Sequence, residues 1–109
     1  MIDTEIVLRF IEGFHDRGNR AQVIETFTCG YCYWFAAILA ARFADYHPII
    51  VYDEIENHFG CAIDGKVYDI TGDISNSYNW IAWKDLVRKD QSLALRIYKD
   101  CITKEEYNE

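Results

Sequence analysis

The sequence predicts an α+β fold. Three observations carry this reading. Apolar residues recur at helical spacing from Thr4 to about Asp45. After Pro48 the chain turns β-branched, in Ile49-Ile50-Val51-Tyr52. Asp64-Gly65 then separates two short alternating runs, which is the strongest hairpin signal in the chain. Helices followed by an antiparallel sheet make an α+β order.

Each element has its own reason. Thr4 to Phe14 reads as an amphipathic helix, because Ile6, Phe10 and Phe14 recur every fourth residue with Val7 and Ile11 beside them. Asp3 is placed to cap it. Gly18 ends that region, and Asn19 caps a short second helix through Ala21, Val23 and Ile24. A third helix starts near Cys32 and runs to about Asp45, with Cys32, Phe35, Ala36, Leu39, Ala40 and Phe43 as its buried stripe. Ile49 to Tyr52 is a buried strand. His58 to Ile63 and Lys66 to Thr71 are the arms of the hairpin. Gly72-Asp73 and Ser75-Asn76-Ser77 read as a loop, and Trp80 to Val87 as a helix with Trp80, Trp83, Leu86 and Val87 on one side. From Leu93 to Ile102 two patterns compete: Leu93, Leu95 and Ile97 alternate like a strand, while Leu93-Ala94 and Ile97-Tyr98 fit a helix. Lys104 to Glu109 reads as a frayed, solvated end.

At 109 residues the chain is expected to form one domain, 1–109. Half of its residues are apolar and only one is proline, which excludes a disordered or low-complexity class. Eighteen acidic against eleven basic side chains give a net charge of −7. Such a chain lacks the basic stripe of a nucleic-acid binder; its charge favours a basic protein partner, or solubility alone. Charges interrupt every apolar run before Cys32, so no secretory signal is read. The run from Cys32 to Ala41 is too short to span a bilayer, and Arg42 closes it. The expectation is a cytoplasmic protein without membrane contact, whose cysteines (Cys29, Cys32, Cys61, Cys101) stay reduced.

A thiol, an imidazole and a carboxylate occur in order at Cys32, His58 and Asp69. Around a two-residue turn, Ile63 pairs with Lys66, Ala62 with Val67, Cys61 with Tyr68 and Gly60 with Asp69. Alternation then puts His58, Gly60, Ala62, Val67, Asp69 and Thr71 on one face. Phe59, Cys61, Ile63, Tyr68 and Ile70 fall on the other, as packing. Asp69 lies diagonal to His58, at roughly 7–8 Å between backbone positions, and Gly60 leaves the imidazole room to lean. The carboxylate can hold one ring nitrogen and aim the other at a thiol. Cys32 opens a helix, where unpaired N–H groups and an adjacent imidazolium favour the thiolate and a developing oxyanion. Asn57 is a further polar contact for such a site. The chemistry requires no metal or organic cofactor.

Cys29-Gly30-Tyr31-Cys32-Tyr33 resembles the papain-family signature C-G-[SA]-C-[WY], with Tyr31 in the place of the small residue. The match sets Cys32 on the nucleophile. The family's oxyanion glutamine falls at Thr26, which leaves Gln22 as its substitute. The compact Cys, His, Asp order and the run Gly65-Lys66-Val67-Tyr68-Asp69 are more similar to the transglutaminase-like branch of the papain-like fold. This resemblance spans Cys29 to Thr71. It implies N-terminal helices packed on a small antiparallel sheet, and a small cysteine hydrolase or acyl transferase (peptidase- or amidase-like). The substrate implied is a peptide or another acyl or amide compound. Cys32, His58 and Asp69 would be catalytic, with Gln22, Tyr31 and Asn57 in contact with substrate. The whole pattern is also similar to small proteins of phage and bacterial genomes.

Other readings use the same residues. Cys29-Gly30-Tyr31-Cys32 resembles a thiol–disulfide C-x-x-C, although no strand precedes it. Cys29, Cys32, His58 and Cys61 mimic zinc-ligand spacing, yet a strand points His58 and Cys61 to opposite faces. Cys32 also fits a small core side chain, as do Cys61 and Cys101. His58 fits a hydrogen-bonded structural histidine, and Asp69 fits a cap on the turn after it. His15 and His47 read as surface or turn residues, and Tyr33, Trp80 and Trp83 as core or groove aromatics. At the level of function, the alternative is a non-catalytic acidic interaction or inhibitor protein of phage type on the same fold.

Overall fold

The computed structural model describes residues 2–28 and 30–103. Its architecture is α+β, with helices packed on a small antiparallel sheet. Helix α1 (Thr4–His15) starts where Asp3 accepts a hydrogen bond from the Glu5 amide at 3.0 Å, so the cap forms as the sequence predicts. Helix α2 (Arg20–Thr28) is capped by Asn19, whose Oδ1 accepts from the Gln22 amide at 3.1 Å. It runs a full turn beyond Ile24 because Phe27 packs edge-on against Phe14 and tilted against Phe35. Helix α3 (Cys32–Arg42) stops short of Asp45. The chain tightens into a 3-10 turn at Ala44–Tyr46 and closes at His47 with φ 52°, just before Pro48. His47 is exposed there, a turn residue as read.

The sheet has strands β1 (Ile49–Asp53), β2 (His58–Ile63), β3 (Lys66–Asp69), β4 (Gly72–Asp73) and β5 (Ile81–Ala82). Their order is β4-β3-β2-β1-β5, antiparallel throughout. The central hairpin has the predicted register: Ile63 opposes Lys66, Ala62 opposes Val67 and Cys61 opposes Tyr68. Asp64 and Gly65 take φ values of 51° and 87°, as a type I′ turn requires.

Two outer strands correct the sequence reading. Gly72-Asp73 is a strand and not a loop. Gly72 sits at φ 122°, which folds the chain back so that Tyr68 opposes Asp73 and Asp69 opposes Gly72. Trp80 is not helical. Ile81-Ala82 first pair with Tyr52 and Val51, so helix α4 (Trp83–Lys89) begins only at Trp83. Asp90 then caps helix α5 (Gln91–Ile97) by accepting from the Leu93 amide at 3.1 Å, and a π-helical turn follows at Tyr98–Thr103. The competing strand pattern fails because Leu95 is exposed while Ala94 and Ile97 are buried, a helical spacing. Lys104 to Glu109 lie outside the described residues.

One core joins the layers. Val7 and Ile11 of α1 and Phe35 and Leu39 of α3 pack with Phe59, Cys61, Ile63, Tyr68 and Ile70 of the hairpin region. The hairpin's predicted packing face is thus fully buried. Leu86, Ile97 and Ile102 extend the core under the C-terminal helices. His15 corrects the sequence reading. It is buried, and its Nε2 donates to the Ile70 carbonyl at 2.6 Å, tying α1 to the chain after β3. No single helix among the described residues is long and apolar enough to cross a membrane.

Candidate functional site

Cys32 is the first residue of α3. Its helix is entered through Tyr31, whose carbonyl receives the Trp34 and Phe35 amides at 3.1 and 3.3 Å. The Trp34 indole donates to the Ile102 carbonyl at 2.9 Å, which ties the start of α3 to the π-helical turn. Opposite, Asn57 at φ 53° ends the β1–β2 connection and delivers His58 as the first residue of β2. Cys32 and His58 are each 7% exposed and Asp69 is 5% exposed.

These three side chains meet. The Cys32 thiol lies beside the His58 side chain and the backbone of Phe59 and Tyr33, close enough for all three to act on its ionisation. His58 Nε2 donates to Asp69 Oδ2 at 2.8 Å, which leaves Nδ1 for the sulfur. The second Asp69 oxygen, Oδ1, accepts from the Thr71 amide at 2.7 Å and the Thr71 hydroxyl at 2.5 Å. Asp69 therefore orients the imidazole and caps the following turn at once. Two aromatic rings lie against the imidazole: Tyr78 with its centroid at 5.2 Å and Trp80 at 6.1 Å, themselves 4.9 Å apart. Gly60 has a further effect. A Cβ there would lie 2.8 Å from Val67 and 3.4 Å from Trp80, so the glycine lets the Trp80 indole seat against the strand.

The electrostatics follow from those contacts. Burial acts to raise the Cys32 pKa, but the His58 and backbone hydrogen bonds and the imidazolium charge outweigh it and hold the thiol below its ordinary 9.0. Burial likewise opposes charge on His58. Its bonds to Asp69 and Cys32, with their negative charges, lift it to about 9. For Asp69, burial is outweighed by bonds from His58 and Thr71, and the carboxyl titrates below 3.8. All three shifts run toward a thiolate–imidazolium pair backed by a carboxylate. Burial alone pushes the core thiol Cys61 up to about 12.

A family model described as phage YunG-like protein matches residues 7–106. The chain belongs to this phage YunG-like family. The match contains Cys32, His58 and Asp69, and it bears out the similarity to small phage proteins. No curated protein and no solved structure matches the chain.

In this phage YunG-like chain, Cys32 opens onto a cleft of about 310 Å³. Thr28, Gly30, Asn57 and Cys101 line it, together with the carboxylates Glu56 and Asp100. Asn57 is thus brought to the thiol's cleft. Its Nδ2 lies 3.3 Å from the Cys101 sulfur and its Oδ1 accepts from the Tyr52 hydroxyl. Tyr31 stands exposed at the helix start, and Gln22 is exposed in the first turn of α2. Neither lines the cleft. Cys101 corrects the core assignment: it is half-buried and faces the cleft.

For the zinc reading, Cys61 is fully buried in the core, behind the sheet face that carries His58 and Asp69. Among the described residues, no three His, Cys, Asp or Glu side chains are placed to hold a metal ion. Cys29, the partner in the C-x-x-C reading, lies outside the described residues. The segments before it are helices α1 and α2. Sequence reasoning put Thr71 on the His58–Asp69 face and Asp69 as a cap on the next turn without joining the two, missed Tyr78, and read Trp80 only as a core or groove aromatic. Asp69-x-Thr71 has the spacing of a side-chain-capped turn and was legible as one. Tyr78 and Trp80 sit in a polar loop with no periodicity to place them.

Proposed function

We propose that this chain is a small cysteine hydrolase or acyl transferase, built on a papain-like (transglutaminase-like) arrangement. Its substrate is a peptide or another compound with an amide, thioester or isopeptide carbonyl. One observation carries the reading: a single buried imidazole binds a carboxylate at 2.8 Å through Nε2 and lies beside a helix-opening thiol whose ionisation it favours. Cys32 is the nucleophile, His58 the general acid and base, and Asp69 the group that orients it.

The thiolate attacks the carbonyl carbon, and the carbonyl electrons move onto oxygen. N–H groups in the first turn of α3 face that developing charge. Collapse breaks the bond to the leaving group, which takes its proton from the His58 imidazolium. An acyl-thioester remains. Water, or an amine in the transfer reaction, then gives a proton to His58 and attacks the thioester. The thiolate leaves and the pair is restored.

The test is alkylation by iodoacetamide at neutral pH, read residue by residue by mass spectrometry. Cys32 is labelled well ahead of Cys61, and His58→Ala slows Cys32 alone. Uniformly slow labelling of all cysteines on a folded chain overturns the enzyme and returns the reading to a non-catalytic binder.

A further inference from the structure

The chain's charge is unevenly distributed. Residues 83–99 carry five basic and two acidic side chains, while the remainder carries six basic and sixteen acidic ones. This basic stretch is helices α4 and α5 with the first two residues of the π-helical turn. Between the two helices runs a groove of about 400 Å³, walled by Trp83, Val87, Ala94, Leu95 and Tyr98 together with the polar side chain of Gln91. Val87, Leu95 and Tyr98 are 38%, 54% and 46% exposed, an open apolar strip on an otherwise charged pair of helices.

A further depression adjoins each end of the groove. Trp83 also borders a depression that holds Ile49, Ile50 and Lys84. Leu95 also borders one that holds Arg96, Lys99 and Asp100. Cations therefore stand beside the groove at both ends: Lys84 next to Trp83, and Arg96 and Lys99, with the carboxylate Asp100, next to Leu95. Among the described residues, Lys84, Arg88 and Arg96 have no carboxylate within salt-bridge distance.

We propose that the α4–α5 groove is a docking site for an acidic, amphipathic segment of a partner protein. Apolar side chains of that segment fill the strip, and flanking Asp or Glu side chains meet Lys84 at one end and Arg96 at the other. Helix-in-groove recognition works in this way: apolar anchors give affinity, and rim charges select the partner and speed its approach. The sign is opposite to that expected from the net charge of −7, because the local surface and not the total meets the partner. The proposal is independent of the chemistry at Cys32.

The test is selection of a random 16-residue peptide library on the full chain, with counter-selection on Leu95→Asp. Leu95 is exposed, so that variant keeps its fold, which circular dichroism checks. The expected consensus is two or three large apolar residues flanked by Asp or Glu. A selected peptide then loses at least about tenfold in affinity against Lys84→Glu/Arg96→Glu, and weakens as salt rises. A basic or uncharged consensus, no enrichment, or equal binding to the charge-reversed variant overturns the proposal. Sedimentation that shows a dimer broken by Leu95→Asp also overturns it, by assigning the groove to a second copy.

Discussion

Asp69→Asn separates a triad from a merely packed cluster. Asp69 uses its oxygens differently: Oδ1 takes two hydrogen bonds from Thr71, and Oδ2 takes one from His58. An amide in its place keeps its oxygen on the two Thr71 donors. Its NH₂ then faces His58 Nε2, donor against donor. The imidazole must become an acceptor at Nε2 and carry its proton at Nδ1, facing the sulfur, where it cannot take one from a thiol. The imidazolium also loses its carboxylate while staying buried. Its pKa falls from about 9 toward the ordinary range, held up only by what Cys32 still contributes. Each pH unit of that fall removes about 1.4 kcal/mol from the ion pair, or tenfold in thiolate, and a loss of roughly one to two units on removing the carboxylate is the expected size. A thiol of higher pKa is intrinsically more nucleophilic, which returns about half of those decades. Alkylation of Cys32 at pH 7 should therefore slow by roughly threefold to tenfold, and its rate should climb only at higher pH. The assay is the second-order iodoacetamide rate between pH 5 and 10, with thermal melts to show the fold intact. A folded variant with the wild-type rate and pH profile refutes the reasoning.

Two further outcomes follow from the same geometry. Gly60→Ala forces a methyl to 2.8 Å from Val67 and against Trp80, so it should cost about 1–3 kcal/mol by overpacking; an unchanged melting temperature would contradict this. His58 has a folded pKa raised above its unfolded 6.5, so its contribution to stability is complete below 6.5 and fades as pH rises through about 9. The urea-unfolding gap between wild type and His58→Ala should accordingly be wide at pH 6 and narrow at pH 10, and a gap that widens with pH would reverse the sign.

Much of the site was legible because it rests on local rules. Asp64-Gly65 fixes a two-residue turn, the turn fixes the register, and strict alternation then puts His58 and Asp69 on one face. The start of α3 was legible from its apolar spacing, which set Cys32 at a helix terminus. What escaped depends on contacts distant in sequence. Ile81-Ala82 has no strand signal of its own and becomes one only because the edge of β1 is open to it. His15 looks polar beside Asp16 and Arg17, and it is buried by a carbonyl fifty-five residues away. Cys101 reaches the cleft because the Trp34 indole ties α3 to the π-helical turn at Ile102, a tether with no spacing in sequence to announce it.

The two buried thiols, Cys32 and Cys61, are the sharpest argument for reactivity over packing. Cys61 is fully enclosed, and burial alone sends it to about 12. Cys32 is nearly as enclosed and suffers the same desolvation, yet it moves the other way. The difference lies in its neighbours: the His58 imidazole and the N–H groups of Phe59 and Tyr33. A thiol kept for packing gains nothing from such neighbours, as Cys61 demonstrates. Holding an ion pair out of water is costly unless each charge is further hydrogen-bonded. Here Asp69 backs His58, and Thr71 backs Asp69 twice over. A structural histidine would account for the His58–Asp69 contact. It would not account for a thiol set beside that imidazole, at a helix start, on the wall of a cleft.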